Sequence, residues 1–332
     1  ASLARIILSE AGSAIVKSCC LIFLSLNIYE RLMLKIAYDA IYSHPLPAGH
    51  RFPMEKYELL PRQLVLEGTA EAENFFVPPP LSEKWILLTH DVAYWNDLKN
   101  QTLSAKEIRR VGFPLSGALI DREVLIASGT IACCHYALSN GIAMNIAGGT
   151  HHAFTNRGEG YCLLNDQAIA ANYLLTNKLA SKILIIDLDV HQGNGTASIF
   201  ADDNRVFTFS MHGAANFPYH KEISNLDIAL ETGIEDNSYL DILYQTLPKL
   251  IAVVQPDFVF YLAGVDVLET DKLGKICLSR EGCRQRDFFT LSQCQKHKLP
   301  VVVCLGGGYS DRLTDIIEAH ANTFRVAREL FF

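Results

Sequence analysis

The stretch "IIDLDVHQGNG", residues 185–195, sets two aspartates and a histidine at every second position directly after an apolar run. Side chains at i, i+2 and i+4 of an extended segment point to one side. Asp187, Asp189 and His191 are therefore expected to project together where the strand "ILIIDLDV" (183–190) runs out. A strand with no polar face belongs in a sheet buried on both sides, which is the habit of parallel sheets. Similar runs recur at "IAMNIA" (142–147), "VFTFSM" (206–211), "FVFYLA" (258–263) and "VVVCLGG" (301–307), and "LKIAYD" (34–39) reads as a first strand. Helical spacing separates several of them, as in "NDQAIAANYLLTNKLA" (165–180) and "NSYLDILYQTLPKLIAVV" (237–254). The alternation predicts an α/β fold with helices on both faces of a parallel sheet.

In such sheets ligands bind beyond the carboxyl ends of the strands. Five of the predicted strands end in polar or glycine-rich residues: Gly148-Gly149-Thr150-His151-His152, the Asp187–His191 set, Ser210-Met211-His212, Gly264-Val265-Asp266, and Gly306-Gly307-Gly308-Tyr309. They converge on one rim. Two like charges in a dry site repel unless a cation or proton lies between them. A lone Asp-x-Asp reads more readily as a helix cap or backbone acceptor, but the added histidine and Asp266 at a second strand end favour a metal. Three carboxylate and imidazole ligands with an open position describe a catalytic divalent ion. The donor set suits zinc, iron(II), cobalt or manganese, and such an ion polarises a carbonyl and lowers the pKa of a water.

Adjacent residues cannot share one face of a regular element, so for both His151 and His152 to enter the site they must sit on a loop, which Gly148-Gly149 permits. Opposite a metal set, the pair suits general acid–base work. Asp187 and Asn194 are the short polar side chains available to orient them. "LGGGYSD" (305–311) lacks the Gly-Lys-Ser/Thr of a phosphate loop. The alternative to a phosphate cradle is that its glycines bring backbone close to a substrate and aim Tyr309 at the metal, where a phenol can hydrogen-bond a developing oxyanion. No Gly-x-Ser-x-Gly elbow exists, which argues against a serine hydrolase, and Cys162 reads as a small buried hydrophobe.

The bulk composition agrees. The chain has 332 residues, 49% of them hydrophobic, enough for a large core. Lys plus Arg number 29 against 36 Asp plus Glu, a net charge of −7 that argues against nucleic acid as the main ligand and weakly favours a cationic substrate. Nine cysteines with no C-x-x-C spacing read as free thiols, so the cytoplasm is the expected location. The apolar run within "AIVKSCCLIFLSLNI" is too short for a membrane span, and no membrane association is expected. Residues 1–32 are expected to be an extension and residues 33–332 the catalytic domain.

"GGTHHA", "GEGYCLLND", "DLDVHQGNGT", "SMHG", "AGVDVLETDKLG" and "LGGGY" occur in the order seen in metal-dependent histone deacetylases and acetylpolyamine-type amidohydrolases. The chain resembles that family from about Met33 to its end, and most of all the class IV branch and its bacterial relatives. The resemblance implies a single-domain, three-layer arginase/deacetylase-like fold with an eight-stranded, mainly parallel sheet. It implies zinc (iron(II) as an alternative) on Asp189, His191 and Asp266. His152 is implied as general base and then acid, His151 as its electrostatic partner oriented by Asp187, Asn194 as the partner of His152, and Tyr309 as the oxyanion donor. Gly160, Tyr161 and Phe217 correspond to walls of a narrow acyl-lysine channel. Asp187, Asp189, His191, Ser210 and Met211 correspond to a structural potassium site.

The expected activity is hydrolysis of the acyl amide of acetyl-lysine in a protein or of a small acylated amine. An acetylpolyamine or other small-molecule deacetylase and a silent acyl-lysine-binding module are the competing readings. An arginase-like ureohydrolase would need a second metal's aspartates. One departure from the best-known pattern stands out: Asn194 holds the position of a dyad aspartate, and Gln192 that of a second histidine.

Overall fold

The computed structural model describes residues 32–332. Nearly all of the expected N-terminal extension, its apolar run included, lies outside the described residues. Eight strands, β1 (Lys35–Ala37), β2 (Phe75–Phe76), β3 (Ile142–Asn145), β4 (Ile183–Asp187), β5 (Val206–Gly213), β6 (Leu226–Leu230), β7 (Phe258–Leu262) and β8 (Val301–Cys304), form one sheet. Its order is β2-β1-β3-β8-β7-β4-β5-β6, and every pairing is parallel. The sheet is thus wholly rather than mainly parallel. The five strands whose ends carried the chemistry in the sequence, β3, β8, β7, β4 and β5, are consecutive neighbours. Every residue of β3, β4, β7 and β8 is buried, which is why their sequences show no alternation.

Two helical layers cover the sheet. One holds Gly117–Asn140 and Asp166–Thr176; the other holds Lys56–Leu66, Asp236–Val254, Arg280–Lys296 and Leu313–Phe331. Local signals set these helices. The Ser116 hydroxyl accepts Leu119 N–H (3.2 Å), and the helix that starts there ends at Gly141 in a left-handed turn (φ 86°). The Asn165 side chain accepts Ala168 N–H (3.0 Å) and begins the helix that follows the "GEGYCLLN" segment.

β2 and β6 are the edge strands. β2 is only two residues long and precedes three prolines, and β6 is only half-buried, so neither carries the apolar run that marks the central strands. None of the described helices is long and apolar enough to cross a membrane.

Candidate active site

β4 stops at Asp187, so Asp189 and His191 lie beyond the strand. Their common direction comes from a stepped loop rather than from the pleat. The Asp187 carboxylate accepts the N–H of Asp189 (3.2 Å), and the Asp189 carboxylate accepts that of His191 (3.0 Å). Each aspartate bonds the backbone two residues on, and that repeat reproduces the two-residue spacing of a strand. Val190 N–H between them donates to Asp266 Oδ1 (3.0 Å), tying the β4 loop to the end of β7.

His191 Nδ1 lies 3.0 Å from Asp189 Oδ1 and 3.1 Å from Asp266 Oδ2. One ligand atom from each of the three residues falls within 4.8 Å of the other two, and all three side chains are buried. Burial, then the Asp189 charge, pushes the Asp266 carboxyl up to about 7. Burial alone would lower the His191 imidazole, but hydrogen bonds to Asp189 and Asp266 carry it up to about 10. Two facing carboxylates in a dry pocket with one imidazole between them are short of positive charge, and a dication is the group that such a donor set fits. The glycines around it are obligatory. A Cβ on Gly307 would stand 2.0 Å from Asp266 Oδ2, and one on Gly264 would stand 2.2 Å from Asp189 Oδ2.

The tandem histidines enter from the β3 loop. Gly148 (φ 81°) and Gly149 (φ 75°) turn it, and a Cβ on Gly148 would strike the Asp166 carboxylate. That carboxylate accepts from Thr150 N–H (2.9 Å) and from the hydroxyls of Thr150 and Thr130 (2.7 and 2.6 Å). His151 Nδ1 meets Asp187 Oδ2 at 2.7 Å and His152 Nδ1 meets Asn194 Oδ1 at 2.6 Å, with the two Nε2 atoms 3.1 Å apart. Burial opposes charge on both rings. The Asp187 carboxylate more than offsets it at His151, whose pKa is raised; at His152 burial and the two neighbouring histidines outweigh the Asn194 amide and the Asp189 charge, and the pKa falls well below the ordinary value. With Asn194 Oδ1 as acceptor, neutral His152 carries its proton on Nδ1 and its lone pair on Nε2, the atom that faces His151 Nε2.

Tyr309 follows the β8 glycines. Its N–H donates to Asp271 Oδ2 (2.6 Å), and its ring stands 6.4 Å from that of His191 and 6.0 Å from that of Tyr161. Burial and the charges of Asp266 and Asp189 push its phenol well up, so it remains a donor. The loop is held from behind by the fully buried Lys56, whose Nζ donates to Gly306 O (2.9 Å) and whose pKa burial brings down to about 8. Gly160, Tyr161 and Phe217 line the outer cavity that leads to these rings. Phe217 packs edge-on against His152 at 4.9 Å, and a Cβ on Gly160 would stand 2.7 Å from the same imidazole. A smaller inner space of about 40 Å3 shares His152, His191, Tyr161 and Tyr309 with that cavity and is closed by Phe52, Tyr57, Arg122 and Ile126.

Asp187 and Ser210 are register partners on the adjoining strands β4 and β5, Met211 follows on β5, and Asp189 and His191 follow on the loop after β4. The Ser210 hydroxyl also meets His212 Nδ1 (3.0 Å). Gln192 does not reach the site; its amide bonds Glu222 O and Asp227 Oδ1 (2.7 and 2.8 Å) and anchors the neighbouring loop. Cys162 is buried, and burial holds its thiol well above the ordinary value, the reverse of an activated nucleophile.

Three supporting residues escaped the sequence reading. Asp166 braces the histidine loop, and Asp271, inside the quoted "VDVLETDKLG", positions Tyr309. The third, Arg286, is wholly buried; its Nη1 donates to Leu188 O (3.1 Å) and Gly264 O (2.6 Å), just ahead of two of the proposed ligands. The first two were visible only as polar residues within motifs, and Arg286 carried no motif at all.

Asn194→Asp is expected to raise the pKa of His152 by about one unit or more, because a carboxylate stabilises the imidazolium where an amide does not. A base acts unprotonated, so the acidic limb of the kcat/KM profile should move to higher pH. A limb that stays in place would remove His152 as the base.

A family model described as "Histone deacetylase domain" matches residues 50–324. The sequence is 43% identical over 296 residues to an uncharacterized protein of Picosynechococcus, covering 89% of this chain and 99% of that one. It is 30% identical over 270 residues to histone deacetylase 2 of Arabidopsis thaliana, covering 78% of this chain and 70% of the relative. Among solved structures, a histone deacetylase homolog complexed with SAHA aligns with a TM-score of 0.76 at 25% identity, over 89% of this chain and 84% of that one.

Proposed function

Because the chain belongs to the histone deacetylase domain family and is a deacetylase-type amidohydrolase, we propose that it removes a short acyl group from a lysine-like amine with zinc on Asp189, His191 and Asp266. The buried ligand trio facing His152 carries this reading. When bound, the ion supplies Lewis-acid polarisation of the acyl carbonyl and a lowered pKa for the attacking water. The roles of this chain's residues follow from their partners. His152, whose own proton sits on Nδ1 against Asn194, takes one proton on Nε2 from the water as its oxygen adds to the carbonyl carbon. His151, whose charged form the Asp187 carboxylate favours at 2.7 Å, stabilises the developing oxyanion. Tyr309 donates its phenolic hydrogen to that oxyanion. The tetrahedral carbon then expels the amine, which takes the proton from His152 and leaves a carboxylic acid.

Phe217 and Tyr161 exclude water from the amine's alkyl chain, and the amide oxygen of Asn194 keeps the His152 ring in its tautomer. A potassium ion on the carbonyls of Asp187, Asp189, His191 and Met211 and the Ser210 hydroxyl would stiffen the β4 loop. Residues 33–332 are proposed as one catalytic domain and the cytoplasm as its location, in keeping with seven described cysteines that are all unpaired.

The inner space is much the smaller of the two, and its closure by Phe52, Tyr57, Arg122 and Ile126 supports a short acyl group. Chelation followed by addition of zinc or iron(II) should abolish and then restore hydrolysis of an acetyl-lysine peptide, with octanoyl-lysine turned over at least about tenfold more slowly. Full activity in chelator would end the metal reading, and a preference for octanoyl would end the short-acyl one.

A further inference from the structure

The outer cavity has a charge pattern opposite to that of the whole chain. It encloses about 310 Å3, and Arg109, Arg110 and Lys275 stand on its wall with no carboxylate among the lining residues. The chain as a whole carries −7. Arg109 and Arg110 are exposed at the last turn of the helix Ala105–Val111; Arg110 acts on the Glu107 carboxylate only through its charge, as the smallest influence on it, and forms no close ion pair with it. Glu107 on the same helix is occupied in capping Ser104 N–H (2.7 Å).

Lys275 comes from the opposite side. Its Nζ donates one bond, to Ala215 O at 3.0 Å, and so keeps hydrogens for another acceptor. The acids nearby are already engaged. Glu159 faces Arg157 at 3.8 Å, Asp311 pairs with Lys272, and Asp271 accepts the N–H groups of Leu273, Gly274 and Tyr309. The guanidinium of Arg51 is close enough to act on the phenol of Tyr161 at the same opening, although burial is the larger influence there.

We propose that this cationic rim selects acylated amines whose carrier bears carboxylates beside the acylated nitrogen, and that it disfavours acetylpolyamines. The proposal rests on the deacetylase reading above and narrows its substrate. An acyl-lysine chain that reaches His152 leaves its carrier at the rim, where Arg109, Arg110 and Lys275 meet it. A polyamine instead brings further ammonium groups to three fixed cations. Like charges brought together in this way discriminate against a ligand even where opposite charges add little affinity.

The test compares kcat/KM for acetyl-lysine peptides flanked by glutamates or by lysines, for N-acetyl-lysine with its carboxylate free or amidated, and for acetylspermidine. At about 50 mM salt the glutamate peptide should be favoured over the lysine peptide by about tenfold, with acetylspermidine lowest. The ratio should shrink towards one at about 500 mM salt. Arg109→Glu combined with Arg110→Glu should reverse the order. An advantage for the free small carboxylate over its amide would point to a small acid, and an advantage confined to the peptide would point to an acidic protein segment; either supports the rim. Lysine-flanked or polyamine substrates hydrolysed equally well or better, or an order unmoved by the double variant, would overturn the rim and leave the deacetylase reading intact. No turnover of any acetyl substrate would overturn both.

Discussion

Asp189→Ala is expected to lower kcat/KM on an acetyl-lysine peptide by at least about a thousandfold, which corresponds to about 4 kcal/mol of transition-state stabilisation. Asp189 Oδ1 stands 3.0 Å from His191 Nδ1, and Oδ2 accepts Gly307 N–H at 2.8 Å. One truncation therefore removes a proposed ligand, frees the imidazole that shares it and releases the glycine loop that leads to Tyr309. It also leaves Asp266 and His191 as a simple ion pair, with no excess negative charge to hold a dication. Metal content measured beside the rate distinguishes this account from general damage: the variant should purify with little metal while keeping a cooperative unfolding transition. A metal-free variant that retained a tenth of the activity would show that the ion is not required for hydrolysis.

The architecture was legible because burial on both faces leaves a plain mark on a strand. "ILIID" and "FVFYL" contain no residue suited to water until the chain reaches the ends of β4 and β7. The rim was legible for a related reason, since polar residues directly after such runs stand out. The alternation of Asp187, Asp189 and His191 pointed to convergence, but the device is a loop in which each carboxylate bonds the backbone two residues on.

What the sequence hid is whatever depends on distant parts of the chain meeting. Arg110 and Lys275 are 165 positions apart (275 − 110), and the fold sets both on one cavity wall. The net charge favoured a cationic ligand, yet the local charge at the opening has the other sign. Lys56 likewise reads as an ordinary helix-start lysine until the Gly306 carbonyl is seen against its ammonium group.

Arg286→Met is expected to destabilise the fold by about 3–5 kcal/mol, because it leaves Asp287 charged and uncompensated in the core. The pair is wholly buried, with Arg286 Nε 2.9 Å from Asp287 Oδ1. Tyr261 and Thr323 hydroxyls donate to the same carboxylate at 2.5 and 2.7 Å, so its negative charge is built into the packing of β7 and two helices. The double variant Arg286→Met with Asp287→Asn removes both charges, keeps an amide oxygen for one of those hydroxyls and offers the other an amide N–H to accept. It should regain most of the lost stability in denaturant unfolding. Function should not follow. Leu188 O and Gly264 O lose their donor in either variant, and those carbonyls fix the turns that carry Asp189 and Asp266. Both variants are therefore expected to bind the metal about 10- to 100-fold more weakly than the parent. Recovery of metal affinity along with stability in the double variant would mean that Arg286 serves the core alone. A stable double variant with weak metal binding would mean that the guanidinium positions the ligand turns, and that its buried charge is kept for the site above it.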